Sequence, residues 1–208
     1  MKKSGKLFYL LMVSIFVIGS LSGCGKDNKV KTIGISQIAP HGSLDNCREG
    51  FIEGLKEAGY IEGENLKIDY QNASGEISNA SMISDKFVSK NYDLICGIAT
   101  PTAMAAYNSA MDANIPVIFT AVSDPIAVNL VKSLKKPGTN STGTSDALPL
   151  EAQMKMIRDF MPEAKTIGIL YTTSEVNSLT HLEKFKELAP KYGFTIEAAG
   201  VNNSSDIP

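Results

Sequence analysis

From Val30 onward, short apolar runs with two-residue alternation take turns with longer stretches whose apolar positions recur every three or four residues. Val30 to Ser36 is the first strand, carried by Val30, Ile33 and Ile35. A helix follows from a Ser43 cap to about Ala58, with Leu44, Cys47, Phe51, Leu55 and Ala58 near one face and Gly59 ending it. Leu66 to Tyr70 alternates as a second strand, Ile77 to Ser89 reads as a helix, and Asp93 to Ala99 as a buried strand. Thr100 caps the next helix, with Pro101 in its first turn, where a missing N–H removes no bond. Pro116 to Thr120 is the fourth strand, and Asp124-Pro125 repeats the cap-then-proline device to open another helix. Lys135 to Gly143, rich in Pro, Gly, Asn and Thr, reads as a loop or crossover. The rhythm then restarts with helix Glu151 to Phe160, strand Thr166 to Leu170, helix Ser174 to Lys191 and strand Phe194 to Ala199.

Strand and helix in alternation, with short apolar strands, predict an α/β fold of parallel sheets covered by helices on both faces. The compositional break at Lys135 to Gly143 divides it into an N-terminal lobe, 32–142, and a second lobe, 143–208. The second lobe reads as incomplete: it holds two strands and reaches Pro208 where a capped helix is about to begin, as in a chain cut short.

The first thirty residues have a different pattern. Lys2, Lys3 and Lys6 precede an uncharged apolar run from Leu7 to Leu21, and Leu21-Ser22-Gly23-Cys24 closes it with small residues before a cysteine. At ~1.5 Å per residue that run spans roughly 22 Å, short of the ~30 Å hydrocarbon core, which favours an export signal over a spanning helix. Residues 1–23 are therefore read as a signal peptide and 24–31 as a polar tether. Leu-Ser-Gly-Cys resembles the lipobox of bacterial lipoproteins, in which the thiol of Cys24 takes the lipid, and acyl chains at ~0.8 kcal/mol per buried CH₂ hold the chain on a membrane.

The 208-residue chain is 43% hydrophobic and carries a net charge of only −2, with no basic block beyond the signal. That excludes a nucleic-acid surface, which needs clustered Lys and Arg. With two histidines and three cysteines, no metal-ligand spacing occurs and no cofactor motif is found. Cys47 and Cys96 each sit in apolar patterns and read as buried thiols, and a bridge between the two stays open.

Open α/β sheets bind ligands outside the carboxyl ends of their strands, where the following helix offers free N–H groups and the positive end of its dipole. Four loops fall there: Gln37 to Ser43, Thr100 to Thr102, Ala121 to Pro125 and Tyr171 to Ser178. Their polar residues include His41, Asp124 and Glu175, with Asp45 just beyond, and Ser43, Thr100, Asp124 and Ser174 also serve as plain helix caps. The pattern alone defines a two-lobed α/β binder or enzyme. A carboxylate-dependent hydrolase would draw on Asp45, Asp124 or Glu175, but no spacing pairs them, and neither a nucleophile elbow nor a phosphate loop occurs. A membrane-tethered solute sensor fits the same pattern.

Several stretches resemble the ABC transporter substrate-binding protein family that includes tryptophan- and tyrosine-type binding lipoproteins. They are Ile33-Gly34-Ile35-Ser36-Gln37 with His41 and Leu44-Asp45, then Ala99-Thr100-Pro101-Thr102-Ala103, and Phe119-Thr120-Ala121-Val122-Ser123-Asp124-Pro125. Pro137-Gly138-Thr139-Asn140-Ser141-Thr142-Gly143 and Tyr171-Thr172-Thr173-Ser174-Glu175-Val176-Asn177-Ser178 complete the set. The resemblance implies a type I periplasmic-binding fold, two α/β lobes closing on a solute, here without the family's last third. It further implies an extracytoplasmic, lipid-anchored binder on the outer face of the bacterial cytoplasmic membrane, not an enzyme, serving an ABC permease and its ATPase.

An aromatic amino acid is the solute so implied. The ligand-binding positions that follow are Gln37, His41, Leu44, Asp45, Thr100, Pro101, Thr102, Ser123, Asp124, Ser145, Tyr171, Ser174, Glu175 and Asn177. Thr100, Thr102 and Ser123 would take the α-carboxylate, Glu175 or Asp124 the α-ammonium, and Tyr171 would stack on the ring.

Overall fold

The computed structural model describes residues 29–202, 206 and 207. The export signal and Cys24 lie outside them. From Lys31 onward the chain is one unit holding two parallel sheets. The first contains β1 (Lys31–Gln37), β2 (Leu66–Asn72), β3 (Leu94–Ile98), β4 (Val117–Val122) and β5 (Ser141–Ser145) in the order β2-β1-β3-β4-β5. The second pairs β6 (Thr166–Thr172) with β7 (Thr195–Val201). The helices are α1 (Gly42–Glu57), α2 (Ile77–Ser89), α3 (Thr100–Ala110), α4 (Leu150–Phe160) and α5 (Val176–Leu188), the last followed by a 3-10 turn at Ala189–Tyr192.

Alternation along β1 and β3 sorts the two faces of the first sheet. Ile33, Ile35, Cys96 and Ile98 pack under Leu44, Cys47, Phe51 and Leu55 of α1, the stripe read from the sequence. On the other face Gly34 lets the Phe87 ring of α2 lie on the strand, and Ile95 joins Phe87, Ala106 and Ala110 beneath α2 and α3. Gly97 is needed for the same reason: a Cβ there would stand 2.6 Å from Ala103 Cα, so its absence lets the first turn of α3 press onto β3. Cys47 and Cys96 are free thiols, Cys96 buried as expected but Cys47 only half-buried, and burial, then the neighbouring Cys47, pushes the Cys96 thiol up to about 12.

The second sheet is covered by a smaller cluster of Met154, Ala189 and Phe194 with Ile167 and Ile196. Arg158 clamps it, its guanidinium 3.8 Å from the centre of the Phe194 ring while donating to the carbonyls of Tyr192, Pro162 and Ala164.

Several local expectations change. Ser141–Ser145 is a strand rather than the end of a loop. It runs across the expected boundary at 142/143, so the first sheet ends at Ser145. Its Ser-Thr-Gly-Thr-Ser sequence has no apolar alternation because four of its five residues are exposed. The residues after Asp124 form turns, not a helix, although Asp124 Oδ1 does accept the Ala127 N–H at 3.0 Å. Helix α1 is capped by His41, whose Nδ1 accepts the Ser43 N–H, so Ser43 is the capped residue and not the cap. Ala99, not Thr100, occupies the cap position of α3. Helix α5 begins at Val176 with Glu175 before it, and neither Glu175 nor Ser174 makes a side-chain cap bond.

Candidate functional site

A single residue separates the end of β3 from the start of α3, so the chain must turn within Ala99 alone. Ala99 accordingly takes φ 82° and ψ 158°, a region that favours glycine, and the Ala99 N–H is tied to the Thr120 carbonyl at 3.0 Å. The strained turn sets the N–H groups of Thr100 and Thr102 at the carboxyl edge of the sheet, where they have no carbonyl one turn back. The Thr102 hydroxyl is directed inward, donating to the Ile98 carbonyl at 2.6 Å, and Thr102 is fully buried, outside the lining of the cleft described next. Ala121 repeats the device at the end of β4 with φ 54°, within the register shift between Phe119 and Val122.

Opposite this edge lies the loop after β6. Together they enclose a cleft of about 250 Å³ with Thr100, Pro101, Met104 and Asn108 of α3 on one side and Ser174, Glu175, Val176 and Asn177 on the other. Ile77 and Ser81 of α2 close a third side. A second hollow of about 540 Å³, polar and bounded by Ser74, Gly75 and Asn202, continues from it through Ile77, Ser174 and Glu175. Apolar walls with a few convergent polar groups are the usual make-up of a small-molecule site.

The two candidate carboxylates differ in what they already hold. Asp124 pairs with Lys184 of α5 at 3.0 Å in addition to the Ala127 N–H. Burial works against its charge, but the Ala127 N–H and then Lys184 outweigh it and keep the carboxyl below its ordinary range. Glu175 accepts one long bond from Asn177 Nδ2, 3.3 Å, and no ion pair to it is found among the described residues. Asn177 Oδ1 is buried with no partner among the described residues.

The remaining sequence-derived positions separate into groups. Thr100, Pro101, Ser174, Glu175 and Asn177 meet in the cleft. Ser123, Asp124 and Ser145 line a different hollow of about 330 Å³ beside the crossover into α4, with His181 and Lys184. Gln37 is fully buried and donates to Asp45 at 3.0 Å while accepting from Arg48 at 3.2 Å, and Arg48 in turn grips Asp45 at 2.8 Å. The Gln37 bond, ahead of Arg48, holds the Asp45 carboxyl below its usual range despite some desolvation. Leu44 packs in the α1 core and His41 is the cap described above, so this end of β1 forms a self-contained network. Tyr171 lies over Gly200 of β7, where an added Cβ would stand 3.0 Å from its hydroxyl.

Sequence reading missed Ile77, Ser81, Met104 and Asn108. Thr100, Met104 and Asn108 are one helical stripe, so continuing from Thr100 by four positions at a time would have found the latter two, whereas Ile77 and Ser81 form a like pair on α2 to which no candidate loop pointed. Among the described residues no group of three or more His, Cys, Asp or Glu can hold a metal, and no helix is long and apolar enough to cross a membrane.

Residues 32–208 match the family described as ABC transporter substrate binding protein, and the chain belongs to that family. It is a family of binding proteins and not of enzymes, with the type I periplasmic-binding fold. The chain is 40% identical over 221 residues to a tyrosine-binding protein of Clostridioides difficile (strain R20291), covering 100% of this chain and 64% of the relative. A crystal structure of an ABC domain in complex with L-Trp from Streptococcus pneumonia superimposes with a TM-score of 0.79 at 43% identity, over 85% of this chain and 59% of that one. A ligand-free, open structure of a substrate-binding protein with adhesive properties from Clostridium difficile gives 0.63 at 46% identity, over 86% and 60%. The chain thus spans about three fifths of the length of these relatives.

Proposed function

We propose that this chain is the solute-capturing lipoprotein of a bacterial ABC importer and that its solute is an aromatic amino acid. The polarity of the cleft carries the reading. The Thr100 N–H, in the first turn of α3, stands on one wall with Met104, Glu175 stands on the other with Val176, and Ile77 closes the third side. A helix N-terminus favours a carboxylate and a carboxylate without an ion pair favours an ammonium, the two charges of a zwitterion. The apolar walls suit a ring, and Glu175 suits the ammonium better than Asp124, which Lys184 already holds.

Capture then requires no bond-making. A solute bridging both walls favours the closed state by as much as it binds that state better. The names of the tyrosine-binding and L-Trp-bound relatives support an aromatic side chain. In this reading residues 1–23 are the export signal and 24–31 the tether, with Cys24 carrying the lipid at the outer face of the cytoplasmic membrane. Delivery is to an ABC permease driven by its ATPase, and the two lobes meet at the crossover after Ser145.

Calorimetry on the chain from Gly25, against the twenty amino acids and a few sugars, tests the assignment. Binding of one aromatic amino acid, weakened about ten- to a hundredfold in Glu175→Gln, is the expected result. Capture of a sugar instead would replace the solute class, and no binding by a folded chain would overturn the amino-acid reading.

A further inference from the structure

Lys184 and Asp124 are 60 residues apart and belong to different layers, Asp124 to the loop after β4 and Lys184 to α5, which packs on the second sheet. The Asp124 carboxylate divides its oxygens between two tasks. Oδ1 accepts the Ala127 N–H and stiffens its own loop, while Oδ2 meets Lys184 Nζ at 3.0 Å across the gap between the layers. Lys31–Asp93 and Lys86–Asp69, by contrast, tie elements of the first layer to one another, and Arg48–Asp45, Lys56–Glu53, Lys155–Asp159 and Lys186–Glu183 are local pairs on single helices. The arrangement of this chain is nearer to the L-Trp complex than to the ligand-free, open relative, with TM-scores of 0.79 and 0.63 at similar identity and coverage.

We propose that Lys184 is a positioning residue that latches the two layers in the closed arrangement through Asp124, without itself touching the solute. The proposal rests on reading the cleft between the layers as the capture site. The two side chains are 45% and 33% exposed, so the pair is reachable by salt and its strength falls as ionic strength rises. Where the closed form is only partly populated, apparent affinity scales with that population, so a contact that closes the empty chain tightens capture without touching the solute. Lys184 also neutralises Asp124, leaving Glu175 as the carboxylate open to a ligand cation.

The test compares the chain with Lys184→Met, Asp124→Asn, their double variant and the conservative Lys184→Arg. Asp124→Asn keeps the oxygen that receives the Ala127 N–H, so loop collapse is not expected, and circular dichroism checks folding of all four. Small-angle X-ray scattering on the ligand-free chain at low salt should show a larger radius of gyration for both single variants and the double variant, with Lys184→Arg unchanged. High salt should bring the unmodified chain to the same larger value. Calorimetry with L-tyrosine and L-tryptophan should show binding weakened about two- to fivefold in each single variant and no further in the double variant.

A ligand-free radius equal in all variants, or losses that add in the double variant, would overturn the latch. Scattering that moves as expected while neither amino acid binds supports the latch and removes the solute assignment instead. Amino-acid binding with unmoved scattering does the reverse.

Discussion

The tetrapeptide Thr-Ile-Gly-Ile occurs twice, at 32–35 in β1 and at 166–169 in β6, and meets two different fates. In β1 it is sealed on both faces: Ile35 is fully buried and Gly34 has the Phe87 ring against it. In β6 Ile169 is only half-buried, Gly168 has nothing within 4 Å of where its Cβ would be, and the next residue, Leu170, is 60% exposed. Identical local sequence, in a parallel strand in both places, thus has different energetics. The difference comes from the number of neighbours: β1 lies between β2 and β3 with helices above and below, whereas among the described residues β6 has one strand beside it and helices over one face.

That contrast can be broken most forcefully at the isoleucines. Ile35→Ala is expected to cost about 2–5 kcal/mol, and Ile169→Ala a fraction of that, in urea unfolding followed by circular dichroism. Equal losses would mean that the two layers share one core. The glycines sharpen it further, with opposite signs. Gly34→Ala drives a methyl into the buried Phe87 ring and should destabilise by about 1–3 kcal/mol. Gly168→Ala meets open space on an extended strand and should be neutral or stabilising by up to about 1 kcal/mol, read as the shift in thermal midpoint.

A smaller effect is expected at the junction of the layers. Burial, then Lys184, pulls the His181 pKa below its ordinary value of about 6.5, while Asp146 and Asp124 oppose the shift. The folded chain therefore binds that proton less readily than the unfolded chain. Its contribution to stability is complete above about pH 6.5 and is lost as pH falls through the lowered folded value. Thermal midpoints between pH 8 and 5 should decline more in the unmodified chain than in His181→Gln, and parallel curves would remove His181 as the cause.

Most strands and helices were legible because burial writes itself as period. The buried run of β3 and the α1 stripe from Leu44 to Leu55 have no other ready interpretation, and Ile77–Ser89 was read with its true ends. Strand β5 was not legible, since a polar edge strand takes its conformation from its neighbour. Gly143 lies so close to the Phe119 carbonyl that only a residue without a side chain fits there. In the cleft, Thr100 and Glu175 were visible as polar residues after strands. The uneven availability of Glu175 and Asp124 was not, because Lys184 is an unremarkable helix position until the layers are folded together.

What the sequence determined by itself was periodicity, the places where the chain turns and the family resemblance, all of which depend on residues near one another in the chain or on a whole pattern of them. What only the tertiary structure decided was which of two equal tetrapeptides is sealed and which of two carboxylates is already paired. It also decided that Ala99 must take a glycine-like turn because α3 presses onto β3 at Gly97. Each of these depends on groups brought together from distant parts of the chain, and burial and charge pairing act through space whatever the separation in sequence.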